Sequence, residues 1–193
     1  MALRLPDDPP VVEVPLDQVL WRVHLLRYDP LWFGPGAGAP PKGRFDAPGG
    51  EYGSCYFGES LGVALLETLV RGRGRPLISR ADLEVRGGSA FGVAAPLRVL
   101  QLEGAGLPSF GISAHEVMGS DYAACQELAL RVHARHPEVD GIQYRSRWDS
   151  GSLCWAVFDR AESRIGGLVR THRLDDASVV VPALRRYKHV SVI

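Results

Sequence analysis

From Gly34 to Gly53, glycine and proline together take more than half of the positions. Proline lacks a backbone donor and fixes φ, and glycine loses the most conformational freedom on ordering, so neither a helix nor a strand can run through this stretch. The chain must cross it as a long irregular connection, with regular elements on either side. Long connections inside a compact domain usually carry function. This one holds a Gly-Arg-Phe-Asp turn at Gly43 to Asp46. The expectation is a loop that moves while its surroundings are empty and orders when they are filled.

Before the loop, Val19, Trp21, Val23 and Leu25 alternate with Leu20, Arg22, His24 and Leu26, the pattern of a strand. One face carries Arg22 and His24 together, away from Trp21 and Val23. Residues 1–15 are rich in proline and aspartate and read as an extended arm, with packing beginning after it and one domain over 16–193. After the loop, a short strand at Cys55 to Phe57 leads to Ser60, an N-cap for a helix from Leu61 to Arg71 closed by Gly72. Further strands are expected at Leu77 to Val85, Phe91 to Val93, Leu97 to Leu102, Ile142 to Tyr144 and Leu153 to Phe158. A second helix runs from Tyr122 to Arg135, started by Asp121 and stopped before Pro137. Strands and helices mix without regular alternation and without an internal repeat, which is an α+β pattern.

At 193 residues the chain is long enough to bury well over half of its unfolded surface without metal or disulfide staples. Apolar residues make up 46% and no run approaches the eighteen or so of a membrane span. The N-terminus, Met-Ala-Leu-Arg followed by Asp-Asp-Pro-Pro, lacks the apolar segment of a signal peptide, so a cytoplasmic protein is expected. Cys55, Cys125 and Cys154 are odd in number and set among apolar neighbours, as reduced core residues are. Lys and Arg total 22 and so do Asp and Glu, which removes the electrostatic footprint of a nucleic-acid binder.

Three residues with distinct chemistry follow one another closely: Arg44 in the loop, Tyr56 in the short strand and Glu67 in the helix. A guanidinium grips phosphate, an aromatic ring stacks on a flat base, and a carboxylate faces a developing positive charge. Each also has a plain structural reading. Glu67 shares a helical stripe with Ser60, Ala64, Thr68 and Arg71, opposite the leucines, and can be a solvated residue paired with Arg71. Arg44 can be an exposed loop residue, and Tyr56 a core residue whose hydroxyl needs a partner. Ser146 can cap a turn, and Arg22 can serve a structural ion pair. His133 and His136 have a spacing able to hold metal but sit where a helix end favours cations, which is the reading taken here. Arg71, Arg73 and Arg75 make a small basic turn. No Rossmann fingerprint, Walker A sequence or Gly-x-Ser-x-Gly elbow is present.

Taken together, Leu20 to Val23, Gly43 to Asp46, Cys55 to Gly58, Ala64 to Leu69 and Asp140 to Ser146 resemble the RES-domain family, named for its arginine, glutamate and serine. Leu31 to Gly34 with Gly43 to Asp46 looks closest to its mycobacterial phosphorolytic branch, although Phe45 and Asp46 depart from the commoner Gly-Arg-Trp-Asn. The resemblance implies a split, strongly bent sheet like that of ADP-ribosyltransferases of the diphtheria-toxin type. It also implies the toxin half of a bacterial toxin–antitoxin pair, cleaving NAD to nicotinamide and ADP-ribose or ADP-ribose-1″-phosphate. NAD is then a substrate and no cofactor or metal is implied; inorganic phosphate or water is the acceptor. On this pattern Glu67 stabilises the ribosyl cation, while Tyr56 and Ser146 orient the nicotinamide end. Arg22 and Arg44 grip the pyrophosphate, or Arg44 positions the acceptor. The implied partner is an antitoxin that occludes the cleft. A protein ADP-ribosyltransferase is a second reading, and a non-catalytic domain binding a nucleotide or a partner a third.

Overall fold

The computed structural model of the protein describes residues 4–36, 38–70 and 76–193. In chain order the elements begin with β1 (Val11–Val14), β2 (Leu20–Leu25), β3 (Ser54–Gly58), α1 (Leu61–Leu69) and β4 (Leu77–Ile78). They continue with α2 (Arg80–Glu84), β5 (Arg86–Val93), β6 (Leu97–Gln101), α3 (Ala114–Met118) and α4 (Ala123–Arg135). The last are β7 (Gly141–Arg145), β8 (Leu153–Phe158), β9 (Ile165–Arg173), α5 (Ala177–Leu184) and β10 (Ser191–Val192). Ser60 caps α1 as its sequence position implies, its hydroxyl accepting from the Val63 amide. No helix of the described chain is long and apolar enough to cross a membrane.

Eight strands form one sheet in the order β1-β6-β7-β8-β3-β2-β5-β9, and β4 with β10 forms a second, two-stranded one. The large sheet is antiparallel except where β6 meets β7. It curls: on its inner face Val14 and Leu97 from one end pack in the same cluster as Phe91 and Val93 from the other, around Leu20, Phe57 and Trp155. The outer face is covered by α3 and α4 over β6 to β8, with Leu128 and Val132 on Ile142 and Phe158. Beside them α1 and α5 cover β2, with Leu65 and Val180 near Val23. The expected bent α+β sheet is therefore found, and so is its split. β2 pairs β5 from Leu20↔Phe91 to Leu25↔Arg86, and β3 pairs β8 throughout. Yet β2 and β3 share only Trp21↔Gly58.

Several expectations change. Packing starts inside the arm rather than after it: β1 lies antiparallel to β6 and Val14 is buried, because edge pairing satisfies a short extended segment that propensity leaves undecided. The expected strand from Leu77 to Val85 breaks after Ile78, where α2 begins and Arg86 reaches back to the Asp82 carboxylate. β9 carries no apolar alternation because it is an edge strand with most of its residues exposed, and α5 hides behind its internal Pro182. The cation at the C-terminus of α4 is Arg160, which donates to the carbonyls of His133, His136 and Val139. His133 instead stacks on Tyr52, and burial holds its pKa down. α1 ends earlier than expected, at Leu69 with Val70 as its extended C-cap, rather than running to Arg71 and closing at Gly72; the Glu67–Arg71 pair and the basic turn fall outside the described residues. Cys55, Cys125 and Cys154 are all buried and unbonded to one another, as expected.

His24 stitches the β2–β5–β9 half together. Its Nδ1 faces the Leu25 carbonyl at 3.1 Å, which can only accept, so Nε2 accepts from Ser89 Oγ at 2.9 Å; Ser89 Oγ lies 2.8 Å from Thr171 Oγ1. Burial, with Arg22 nearby, lowers the pKa of His24 from its ordinary 6.5, against smaller opposing effects of the Leu25 carbonyl and Asp29. A histidine lowered on folding contributes stability that is complete above its unfolded pKa and is lost as pH falls below that value toward the folded one. Thermal melting should therefore drop between pH 7 and pH 5. His24→Gln, which keeps a donor and an acceptor, should flatten part of that drop, and an equally steep profile in the variant would remove His24 as its source.

Candidate active site

The split between β2 and β3 is a cleft. Trp21 and Val23 form one wall, Tyr56, Gly58, Tyr144 and Cys154 the other, and Ala64, Glu67 and Thr68 of α1 the roof. The space between these walls is about 30 Å³ and opens to solvent. The sequence explains the roof: Leu61, Leu65, Leu66 and Leu69 bury into the apolar cluster between α1, α2 and α5, which turns the opposite stripe of α1 to the cleft. That stripe is the one that could equally have been solvated, and here it lines a wall.

Glu67 is fixed on its Oε1. The hydroxyl of Ser146 donates to it at 2.7 Å and the backbone amide of Arg147 at 3.0 Å. Ser146 Oγ also accepts from the amides of Trp148 at 3.1 Å and Asp149 at 3.2 Å. One donor and two lone pairs are thus all engaged, so Ser146, fully buried, has nothing left for a ligand and acts by positioning Glu67. It caps a turn and holds Glu67 at once.

The glycine-rich loop is anchored where its composition offers no regular hydrogen bonds. Its second half is held from several directions. Asp46 Oδ2 accepts from the amides of Lys42 and Gly43 at 2.9 and 2.6 Å, and Asp46 Oδ1 from the Tyr56 hydroxyl at 2.8 Å. That hydroxyl accepts from the Phe45 amide at 2.8 Å. The Phe45 carbonyl accepts from Tyr52 and Ser54, and the Gly43 carbonyl from Gln126. A Cβ on Gly43 would collide with the Tyr56 hydroxyl, so glycine is required there by close approach. Asp46 and Tyr52 belong to the loop itself, but Ser54 and Tyr56 of β3 and Gln126 of α4 lie outside it and are invisible in its composition. Phe45 is buried against Tyr144 and Asp46 anchors the turn, and neither lines the cleft, so the two departures from Gly-Arg-Trp-Asn serve packing.

Arg44 is correspondingly buried, at 4% exposure, rather than a surface residue. Its guanidinium lies 5.4 Å from the Tyr122 ring centroid and 5.5 Å from that of Tyr144. Its Nη1 has no hydrogen-bond partner, and among the described residues no carboxylate lies within ion-pair distance. Arg44 and Glu67 act in opposite senses on Tyr144, whose pKa burial already drives far up, so the phenol stays protonated at neutral pH. Tyr56 is likewise driven up, first by burial and then by Asp46.

Arg44, Tyr56, Glu67 and Ser146 are therefore brought to one place; Arg22 is not. Strand alternation puts it on the opposite face of the sheet, where it donates to Cys55 Sγ in the inner cluster. Burial raises that thiol to about 11 despite the cation. The cleft face of β2 is presented by Trp21 and Val23 instead. Trp21 was legible as the neighbour on the face opposite Arg22, and Tyr144 as the residue sharing a strand face with Ile142. Arg147 and Tyr122 join this site only through tertiary contact, Arg147 Nη2 meeting the Tyr122 hydroxyl at 2.5 Å. Among the described residues no three His, Cys, Asp or Glu side chains gather as a metal site.

The Tyr56 hydroxyl is the joint between loop and strand. Tyr56→Phe leaves the Phe45 amide and one Asp46 oxygen without their partner, which should cost about 1–3 kcal/mol of folding stability. Urea denaturation measures this, and an unchanged midpoint with an unchanged slope would show that the loop is anchored elsewhere.

Comparison with curated protein sequences returns no match. Among solved structures, the chain is similar to one in the crystal structure of the M. tuberculosis MbcT-MbcA toxin-antitoxin complex, at 19% identity and a TM-score of 0.67. The likeness covers 91% of this chain and 90% of that one, and at this identity it speaks for the fold. The RES domain family model matches residues 19–177, a span that contains the split, the loop, Glu67 and Ser146. The chain belongs to the RES domain family.

Proposed function

We propose that this protein is the toxin of a toxin–antitoxin pair and depletes NAD by breaking its nicotinamide–ribose bond. The observation that carries the reading is Glu67, a single carboxylate fixed by Ser146 and the Arg147 amide in the roof of a cleft walled by Trp21, Tyr56 and Tyr144. Membership of the RES family and likeness to a chain of a toxin-antitoxin complex support it.

The chemistry suits one carboxylate. Ordinary glycoside hydrolysis needs a second acid to protonate a poor leaving group. In NAD the nicotinamide is already a pyridinium: when the C1″–N1 bond breaks, its electron pair neutralises the ring nitrogen and nicotinamide departs without a proton. The positive charge passes to the ribose, where a preorganised carboxylate stabilises it. An oxygen of phosphate, or of water that then loses a proton, closes the new bond to C1″. On this reading Tyr56 and Tyr144 offer ring faces to the nicotinamide end, and Arg44 supplies positive charge for phosphate oxygens. A protein ADP-ribosyltransferase would need another acid to activate its acceptor, and among the described residues Glu67 is the only acidic one lining the cleft. The antitoxin is the protein that keeps the cleft shut, and cytoplasmic NAD is the natural target.

The small volume of the cleft favours one rival, a domain that binds a partner and never opens to a ligand. Purified protein incubated with NAD, with and without inorganic phosphate, decides between them when the products are weighed by mass spectrometry. Release of nicotinamide supports the enzyme, and the mass of the remainder names the acceptor; intact NAD sinks the proposal. Glu67→Gln keeps an Oε1 acceptor for Ser146 and Arg147, so the fold should survive. The variant should lose about 2–4 kcal/mol of transition-state stabilisation. Turnover at the parental rate in that variant would return Glu67 to a structural role.

A further inference from the structure

Arg147 follows the serine that positions Glu67, and its two ends do different things. Its backbone amide holds Glu67, while its guanidinium lies 5.7 Å from the centroid of the Tyr122 ring and donates to the Tyr122 hydroxyl. Arg44 approaches the same ring. Two guanidinium groups thus meet at one tyrosine, and among the described residues neither has a carboxylate within ion-pair distance. Tyr122 is moreover the N-cap residue of α4, and its side chain does not cap that helix. The helix end adds partial positive charge.

Such an arrangement is unfavourable as it stands. A buried arginine without a counter-ion bears a desolvation cost that protein interiors ordinarily offset with an acid. The nearby acids are already committed: Glu67 to Ser146 and the Arg147 amide, Asp46 to its own turn and Tyr56, and Asp121 to the Ala123 amide. The tyrosine rings occupy guanidinium faces, whereas hydrogen bonds leave in the plane, and the buried Nη1 of Arg44 remains unmatched.

We propose that Arg44 and Arg147 form a two-guanidinium clamp at Tyr122 that holds a phosphate-type oxyanion beside Glu67. A tetrahedral phosphate group presents enough oxygens to accept from both forks at once, which a carboxylate does less well. Where the oxyanion comes from rests on the NAD reading: it is the acceptor phosphate or a phosphate of the dinucleotide. The clamp itself does not depend on that reading.

Isothermal calorimetry with inorganic phosphate tests it on the purified chain. Wild-type protein should bind phosphate. Arg147→Gln, shown to be folded by circular dichroism and melting, should bind it at least roughly tenfold more weakly, the worth of a hydrogen bond to a charged group. Arg147→Lys should fall between, and Arg131→Gln, on the exposed face of α4, should match the wild type. Should Arg147→Gln fail to fold, Tyr122→Phe, which frees the Arg147 fork, is measured instead and should weaken binding in the same direction. Steady-state kinetics then separates the sources: a raised KM for phosphate alone marks the acceptor, and a raised KM for NAD alone marks the dinucleotide. Wild-type protein that takes up no phosphate, or a folded Arg147→Gln that binds it as tightly as wild type, overturns the clamp. Phosphate binding lost in Arg147→Gln without any NAD turnover would uphold the clamp and fail the NAD reading alone.

Discussion

β2 and β3 meet through a single residue pair, Trp21 opposite Gly58, while each is fully paired to its other neighbour. The two ends of this curled sheet pack in one inner cluster, and between them two neighbouring strands diverge. What would be unpaired sheet becomes the floor of a cleft. The helix that roofs it starts two residues after β3, and Gly58 allows that approach: a Cβ there would lie 3.0 Å from the Ala64 amide nitrogen. Strand divergence, glycine and helix cap together carry Glu67 over the gap.

The polar groups around this gap are secured by hydrogen bonds that cross large distances in sequence. Ser146 and Glu67 join β7 to α1, Asp46 and Tyr56 join the loop to β3, and Gln126 joins α4 to the loop. Buried polar groups satisfied in this way specify one arrangement, because losing any partner leaves the other desolvated and unpaired. Arg44 is the exception: it is as buried as its neighbours, yet among the described residues its guanidinium has ring faces beside it and its Nη1 has no hydrogen-bond partner.

Local signals in the sequence were a good guide where a local cause dominates. Ser60 and the leucine stripe located α1, the alternation from Val19 to Leu26 located β2, and Glu67 was legible on both its faces. Composition misled where the cause is tertiary. Glycine and proline describe a loop without regular hydrogen bonds, but not the side chains of Tyr52, Ser54, Tyr56 and Gln126 that supply replacements, so the loop is better anchored and Arg44 deeper than composition implies. The family motif brought Arg22 forward, whereas the pleat sends it to the inner face and Trp21 to the cleft. Arg147 and Tyr122 carry no signal of their own, since their meeting depends on how α4 is laid against the end of β7.

The cleft's size bears on how a ligand gets in. Pockets that take drug-sized molecules enclose about 300 Å³ or more, whereas the space between these walls is about 30 Å³ and opens to solvent. The hydrogen bonds tell the walls apart. Tyr56 is tied to Asp46 and the Phe45 amide, Glu67 to Ser146 and Arg147, and Gly58 lies in the ladder with β8. Trp21 is held otherwise: its ring stacks on His172 at 6.2 Å and lies under the Arg170 guanidinium at 5.9 Å. Ring contacts of this kind tolerate sliding, where a buried hydrogen bond of fixed geometry does not. The Trp21 side chain thus differs from the other cleft walls in being held by ring contacts, while its backbone stays in the ladder with Ala90 of β5.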